Sequence, residues 1–369
     1  MTETMQAKPE LRHARRSGLR KWIPGYGLLL NYNRELFRQD AFAGLVLTAL
    51  LAPVGMGYAE AAGLPAIYGL YATIMPLLMY AIFGPSRILV IGPDSALTAL
   101  IAATVLPMAA GDIGRAASLA AVLALLVGGI SIIAGLARLG FVTDLLSKPI
   151  RYGYLNGIAL TLLIGQLPKV MGFSVDGSSI VKALSGIVYG VLNGKTNQAT
   201  FAAGFICLAI IFACKAWAPK VPGVLVAVAG AAAVIEIIDP STLKSVTLVG
   251  ALPQGLPAFR FMPVSIEELK LLVPAAFAIA MVSIADMSVL SRIYALRGKY
   301  YVNANQELVA LGIANLATGL FQGFPVSSSA SRTPVAEAAG ARTQVTCLIG
   351  ASGIALLLLF APALMRSVP

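Results

Sequence analysis

The chain is poor in the residues on which most enzyme sites are built. Its 369 residues include one histidine, His13, and three cysteines, Cys207, Cys214 and Cys347. His13 lies in a polar, basic N-terminal stretch, and the cysteines lie inside apolar runs. Neither metal-ligand spacing nor a Cys/His nucleophile pair nor an HExxH helix can be assembled from them. No metal, no cofactor and no enzymatic activity is therefore expected, and the thiols read as small apolar packing groups. Charge is scarce as well: 12% of residues are charged, about half the share usual in a soluble domain.

What is abundant is apolar sequence, 58% of the chain, with a mean hydropathy of +0.84. It comes in runs long enough to cross a bilayer rather than in amphipathic stripes, which makes this an all-α polytopic membrane protein. Spans are expected at about 41–60, 66–84, 90–105, 117–137, 149–167, 200–217 and 222–238, then at about 271–290, 304–320, 325–338 and 343–361. Residues 176–193 are apolar but Gly-rich and short, and are expected along the interface. Residues 239–270 form a Pro-rich connector. The net charge of +11 is concentrated before the first span, at Lys8, Arg12, Arg15, Arg16, Arg20 and Lys21. Beside a membrane span such a run sets topology and touches anionic lipid rather than nucleic acid. Residues 1–40 thus read as a cytoplasmic basic tail and interfacial helix, with no signal-peptide pattern. The expected location is the cell (inner) membrane.

Two apolar segments, the third and the tenth, are broken by a Gly/Pro step followed by small hydroxyl residues. One reads Gly92-Pro93-Asp94-Ser95-Ala96, the other Gly323-Phe324-Pro325-Val326-Ser327-Ser328-Ser329. Each is expected to pass from a β-like lead-in to a short half-helix. A helix that starts inside the membrane offers free N–H groups and a positive dipole end to an anion. Paired breaks in two halves point to the substrate site of a secondary transporter. Aligning Pro325 with Pro93 gives an offset of 232 residues, which sets Asp286 opposite Val54 in the first span. Seven crossings in 41–238 then require the second unit, 271–369, to enter from the opposite side as an inverted repeat. Within this chain it reaches four of its seven elements.

Several polar residues carry two readings. Glu60 ends the first span without a cation near it in sequence: either a proton-carrying carboxyl or one that snorkels to the headgroups. Asp286 is a cation, proton or gating site, or a partner for Arg292. Asp94 reads as the N-cap of the third helix, and Glu307 as a first-turn helix charge. Arg332, about two turns into the tenth helix, either adds positive potential to the anion site or pairs with Glu337 or another carboxylate. Ser327, Ser328 and Ser329 either donate to an anion or serve helix packing.

Pro53-Val54-Gly55-Met56-Gly57-Tyr58-Ala59-Glu60, followed by Gly63-Leu64-Pro65 through Tyr71, resembles the signature of the sulfate permease (SulP) family of anion transporters. Asn305-Gln306-Glu307-Leu308 through Gly312, Ser331-Arg332 and Gly340-Ala341-Arg342-Thr343-Gln344 resemble it too. The resemblance implies a 7+7 inverted repeat with UraA-like core and gate domains, a homodimer, and an anion site between the third and tenth half-helices facing the first and eighth spans. Tyr58, Pro93, Asp94, Ser95, Ala96, Ser327, Ser328, Ser329, Ser331 and Arg332 are the expected substrate-binding set, and Glu60 matches the family's proton-coupling acid. The regulatory STAS domain usual at the family's C-terminus is not in these 369 residues. The expected activity is proton-coupled, elevator-like symport of a small anion of the sulfate, bicarbonate or C4-dicarboxylate class. A nucleobase–proton symporter of the same fold, or an uncoupled anion exchanger or channel, is the alternative.

Overall fold

A computed structural model describes residues 24–25, 32–140, 252–365 and most of 163–237, with scattered positions in 153–160. Within these the chain is helical apart from two very short strands. In order, the elements are α1 (Arg34–Ala61), α2 (Ala66–Phe83), β1 (Ile91–Gly92), α3 (Ser95–Ala109) and α4 (Ile113–Leu136). Then come α5 (Ile180–Leu192), α6 (Gln198–Trp217), α7 (Gly223–Ile237), α8 (Ile266–Arg297), α9 (Ala304–Leu320), β2 (Ser327–Ser328), α10 (Arg332–Ala338) and α11 (Val345–Phe360). Five of them, α1, α2, α4, α6 and α8, are long and apolar enough to cross a membrane. The expected fifth span at 149–167, the basic tail and much of the connector fall largely outside the described residues.

Local sequence sets most helix ends. Asn33 caps α1 by accepting from Leu36 N at 2.8 Å, so the helix starts at Arg34 rather than near residue 41. Ser265 and Glu268 form a reciprocal capping box at the start of α8. Asn303 caps α9, whose bounds coincide with the expected 304–320. The interfacial stretch at 176–193 contains α5, exposed along Val181, Leu184 and Val188.

Helix pairs come together through glycine. A Cβ placed on Gly128 of α4 would lie 2.8 Å from the Gly312 carbonyl oxygen of α9, and one on Gly312 would lie 2.7 Å from that of Gly128. Only hydrogens at both positions let the two backbones approach this closely. Gly55 of α1 and Gly69 of α2 meet in the same way, where a Cβ on Gly69 would lie 2.0 Å from the Gly55 carbonyl. Around the two strands, α2 packs against β1 and α8 against β2.

Asp40, fully buried near the start of α1, ties that helix to α11. Its carboxylate accepts from Arg342 N (2.7 Å), Thr343 N (3.0 Å), Thr343 Oγ1 (2.5 Å), Thr346 Oγ1 (3.0 Å) and Tyr32 OH (2.8 Å). A side chain from another helix thus satisfies the orphan amides that precede α11.

Candidate functional site

The two breaks meet. β1 and β2 pair antiparallel, Ile91 opposite Ser328 and Gly92 opposite Ser327. Backbone that leaves a helix at membrane depth must find partners inside the protein, and here each lead-in supplies them to the other. The ladder is extended by Ser329 N donating to Val90 O at 3.0 Å and by Val90 N donating to Thr333 Oγ1 at 3.2 Å. Asn315 of α9 grips the same strand: Val326 N donates to its Oδ1 at 2.9 Å, and its Nδ2 donates to Val326 O at 3.0 Å.

The pairing corrects the expected start of the tenth helix. Because Ser327 and Ser328 are held as strand, α10 begins only at Arg332, which is its first residue rather than two turns in. The three serines then separate by role. Ser327 Oγ donates to Ser283 O on α8 at 3.2 Å. Ser329 Oγ accepts from Arg332 N at 3.2 Å and lies 3.2 Å from Ser331 Oγ. Ser328 Oγ is buried without a hydrogen-bond partner among the described residues. Ser331 is exposed.

Arg332 is 1% exposed. Its Nη2 donates to Pro93 O, while Nε and Nη1 are buried with no partner among the described residues. Its Cζ stands 5.9 Å from the centroid of the Tyr58 ring on α1, a cation–π distance. A Cβ at Gly92 would sit 3.0 Å from Nη1, so only glycine leaves the guanidinium this room. The expected pairing of Arg332 with Glu337 is not formed, because Glu337 binds Arg297 instead at 3.0 Å. A guanidinium held by one carbonyl and one aromatic face, with two donors to spare, suits an anion that brings its own acceptors.

The start of α3 is arranged differently from a bare helix end. Asp94, half-buried, is its N-cap: Oδ1 accepts from Ala96 N at 3.1 Å. Leu97 N and Thr98 N are directed to Asp94 O, both at 3.2 Å. The carboxylate also interacts electrostatically with Arg332 without forming an ion pair. Ser95, half-buried, opens the helix, and Tyr58 has both Ser95 and Ser331 near its hydroxyl. The structure thus gathers Tyr58, Pro93, Asp94, Ser95, Ala96, Ser328, Ser329, Ser331 and Arg332 around the β1–β2 pair, with Ser327 turned toward α8.

Glu60 stands apart from that cluster in what it touches. Glu60 is exposed at the end of α1, and its carbonyl accepts from Lys169 Nζ at 3.2 Å. The cation absent from its sequence neighbourhood is supplied by the fold. Burial pushes the Lys169 ammonium below its ordinary range, and the Glu60 carboxylate pulls it back up. Asp286 is half-buried on α8. Glu307 lies in the first turn of α9, as expected, but is fully buried, accepting from Tyr80 OH at 2.6 Å and from Ser86 Oγ. Of the cysteines, Cys347 is buried, and Cys207 and Cys214 are half-buried. Asn315 and Ser283 were not singled out by the sequence; an Asn in the apolar part of a helix, eight residues before Gly323, was the available signal.

Residues 37–369 match the Sulfate permease family. The chain is 42% identical over 348 residues to the Probable sulfate transporter Rv1739c of Mycobacterium tuberculosis, covering 94% of this chain and 62% of that one. It is 34% identical over 342 residues to Sulfate transporter 4.1, chloroplastic, of Arabidopsis thaliana, covering 91% and 49%. The chain therefore spans between about half and five-eighths of these relatives' lengths. The solved structure of SLC26A9 superposes with a TM-score of 0.86 at 25% identity, covering 95% of this chain and 58% of that one. The transmembrane domain of the cyanobacterial bicarbonate transporter BicA gives 0.82 at 23% identity, covering 92% and 86%. On the family match over nearly its whole length, this multi-pass membrane chain belongs to the sulfate permease family.

Proposed function

We propose that the chain forms the membrane portion of a secondary active transporter for small oxyanions, with sulfate the leading cargo and bicarbonate or C4-dicarboxylates the alternatives. The observation that carries this reading is Arg332: a fully buried guanidinium with two unpartnered donor nitrogens, beside an unpartnered Ser328 hydroxyl and the N-terminus of α3. Burying such a charge is costly unless an anion or a pathway uses it. The names of the mycobacterial and plant relatives support sulfate.

The finer mechanism is also proposed. Transport is proton-coupled symport, because a proton carried with a dianion reduces the charge moved against an inside-negative potential, which acts at about 2.3 kcal/mol per charge per 100 mV. Glu60 stands at a motif position suited to that role, and its exposure at the end of α1 gives it access to bulk protons. The motion is elevator-like. Among the described residues α6 and α7 pack on each other and reach the remainder mainly through α1, a division that permits sliding. The chain works as a homodimer with its N-terminus in the cytoplasm.

Uptake of labelled sulfate into proteoliposomes tests the site. Arg332→Ala removes a charge-assisted contact of about 1.5–3 kcal/mol, so apparent affinity falls roughly 10- to 100-fold. Arg332→Lys, a point charge without the fork, falls between. Unchanged affinity in Arg332→Ala refutes the site. Uptake indifferent to a pH gradient, or unaffected by Glu60→Gln, refutes coupling at Glu60 and leaves an uncoupled exchanger.

A further inference from the structure

The most isolated buried acid of the described chain lies outside the cradle just described. Glu307, on the first turn and a half of α9, is 0% exposed. Oε2 accepts from Tyr80 OH of α2 at 2.6 Å, and Oε1 accepts from Ser86 Oγ in the segment that leads from α2 to β1. Tyr80 and Ser86 are themselves 1% and 0% exposed. Among the described residues no ion pair reaches the carboxyl.

The ionisable groups of the packed elements are engaged elsewhere. Arg87, next to Ser86, lies over the Tyr300 ring at 4.9 Å, and its amide donates to Tyr300 OH at 3.3 Å. Tyr300, half-buried between α8 and α9, also has its hydroxyl near Ser86. On α4, which packs along α9, the sole ionisable residue is Arg115, and it pairs with Glu268. On α8, Arg297 pairs with Glu337, and Asp286 and Arg292 also have partners. A carboxyl buried on two neutral hydroxyls is an expensive feature for a membrane protein to keep for packing alone.

Its two protonation states make opposite demands on those hydroxyls. The carboxylate accepts from both Tyr80 and Ser86. The acid carries an O–H of its own, so one of the two must give up donating and turn to accept. Ser86 is wired to the anion cradle over a short stretch of backbone. Gln344 Nε2 donates to both Ser86 O (2.9 Å) and Leu89 O (3.0 Å), Val90 joins β2 through Ser329 and Thr333, and Pro93 O holds Arg332. We propose that Glu307 is a proton-binding site of this protein and that Ser86 conveys its charge state along residues 86–93 to the anion cradle. The link to the cradle rests on the reading of Arg332 as the anion site; the proton site does not.

Two readouts on the full chain in lipid test this. In pH-difference infrared spectra with isotope-labelled glutamate, a carboxyl band titrates in the unmodified protein and is lost in Glu307→Gln. In sulfate uptake, Glu307→Gln lowers the pH dependence by up to about tenfold per pH unit, the ceiling for one group, while the part that the coupling carboxyl Glu60 contributes remains. Glu307→Asp restores a pH dependence with a displaced midpoint. Tyr80→Phe, which deletes one donor and keeps the ring, displaces the midpoint of the band as well, and serves where Glu307→Gln does not fold. If no band assignable to Glu307 titrates, or Tyr80→Phe leaves its midpoint unchanged, the proton site is wrong. If Glu307→Gln keeps the full pH dependence of uptake, the conveyance through Ser86 is wrong. A band that titrates normally in a protein that takes up no sulfate upholds the proton site and overturns the transport reading instead.

Discussion

Replacing Asn315 with Leu tests whether the second lead-in is held by a single side chain. In the native arrangement Asn315 satisfies both polar groups of Val326, accepting from N at 2.9 Å and donating to O at 3.0 Å, with a further bond to its own helix at Leu311 O. Val326 is 0% exposed, so both groups become buried orphans when the amide is removed. Each orphan costs about 1–3 kcal/mol. Ser283 Oγ, 3.5 Å from Val326 O, offers the carbonyl a weak substitute, so the loss should be about 2–4 kcal/mol rather than the full sum. Against a net stability of about 5–15 kcal/mol that is a large fraction. Thermal unfolding in detergent should show a clear drop in Tm for Asn315→Leu. Asn315→Asp keeps the acceptor for Val326 N but sets a carboxylate oxygen against Val326 O, so it should lower Tm as well. Sulfate affinity should fall with stability, because Val326 leads directly into β2. An Asn315→Leu protein that melts with the parent and binds sulfate as well would refute the claim that this bridge holds the strand.

Other perturbations have equally definite outcomes. Gly92→Ala puts a methyl 3.0 Å from Arg332 Nη1 and should weaken sulfate affinity in uptake assays, whereas Gly57→Ala, with nothing within 4 Å of its Cβ, should not. Gly69→Val should abolish folded protein on size exclusion, since its Cβ would lie 2.0 Å from the Gly55 carbonyl and backbone must move to admit it. Asp40→Ala should lower Tm more than Thr346→Val, because it releases five hydrogen bonds, two of them from backbone amides, where Thr346→Val releases one.

The broken segments were legible because Gly and Pro interrupt otherwise apolar runs, and the bounds of α9 were legible because Asn303 is a local cap. What escaped the sequence depended on residues far away along the chain. Arg34–Asp40 looks like polar tail, and only the amides around Thr343, 303 residues later, make Asp40 an interior acceptor. Ser327 and Ser328 look like the opening turn of a helix until β1 pairs with them. Glu307 looks like an ordinary first-turn charge until Tyr80 and Ser86, more than 200 residues earlier, close over it. Arg332 and Glu337 sit five residues apart on one helix, beyond the three- or four-residue spacing that makes side chains meet, and Arg297 takes the acid and leaves the guanidinium to the site. Periodicity and caps are local information; partner choice is not.

The bond from Arg332 to Pro93 joins positions 239 residues apart. A ribosome therefore releases the first lead-in and α3 into the membrane long before anything exists to pair with them. Until α9 and β2 follow, the edge of β1 and the carbonyl of Pro93 must be sheltered by water, lipid headgroups or the insertion machinery, since hydrocarbon offers them nothing. The cradle is thus completed long after its first half is made, and a nascent chain stalled before residue 326 would hold half of it.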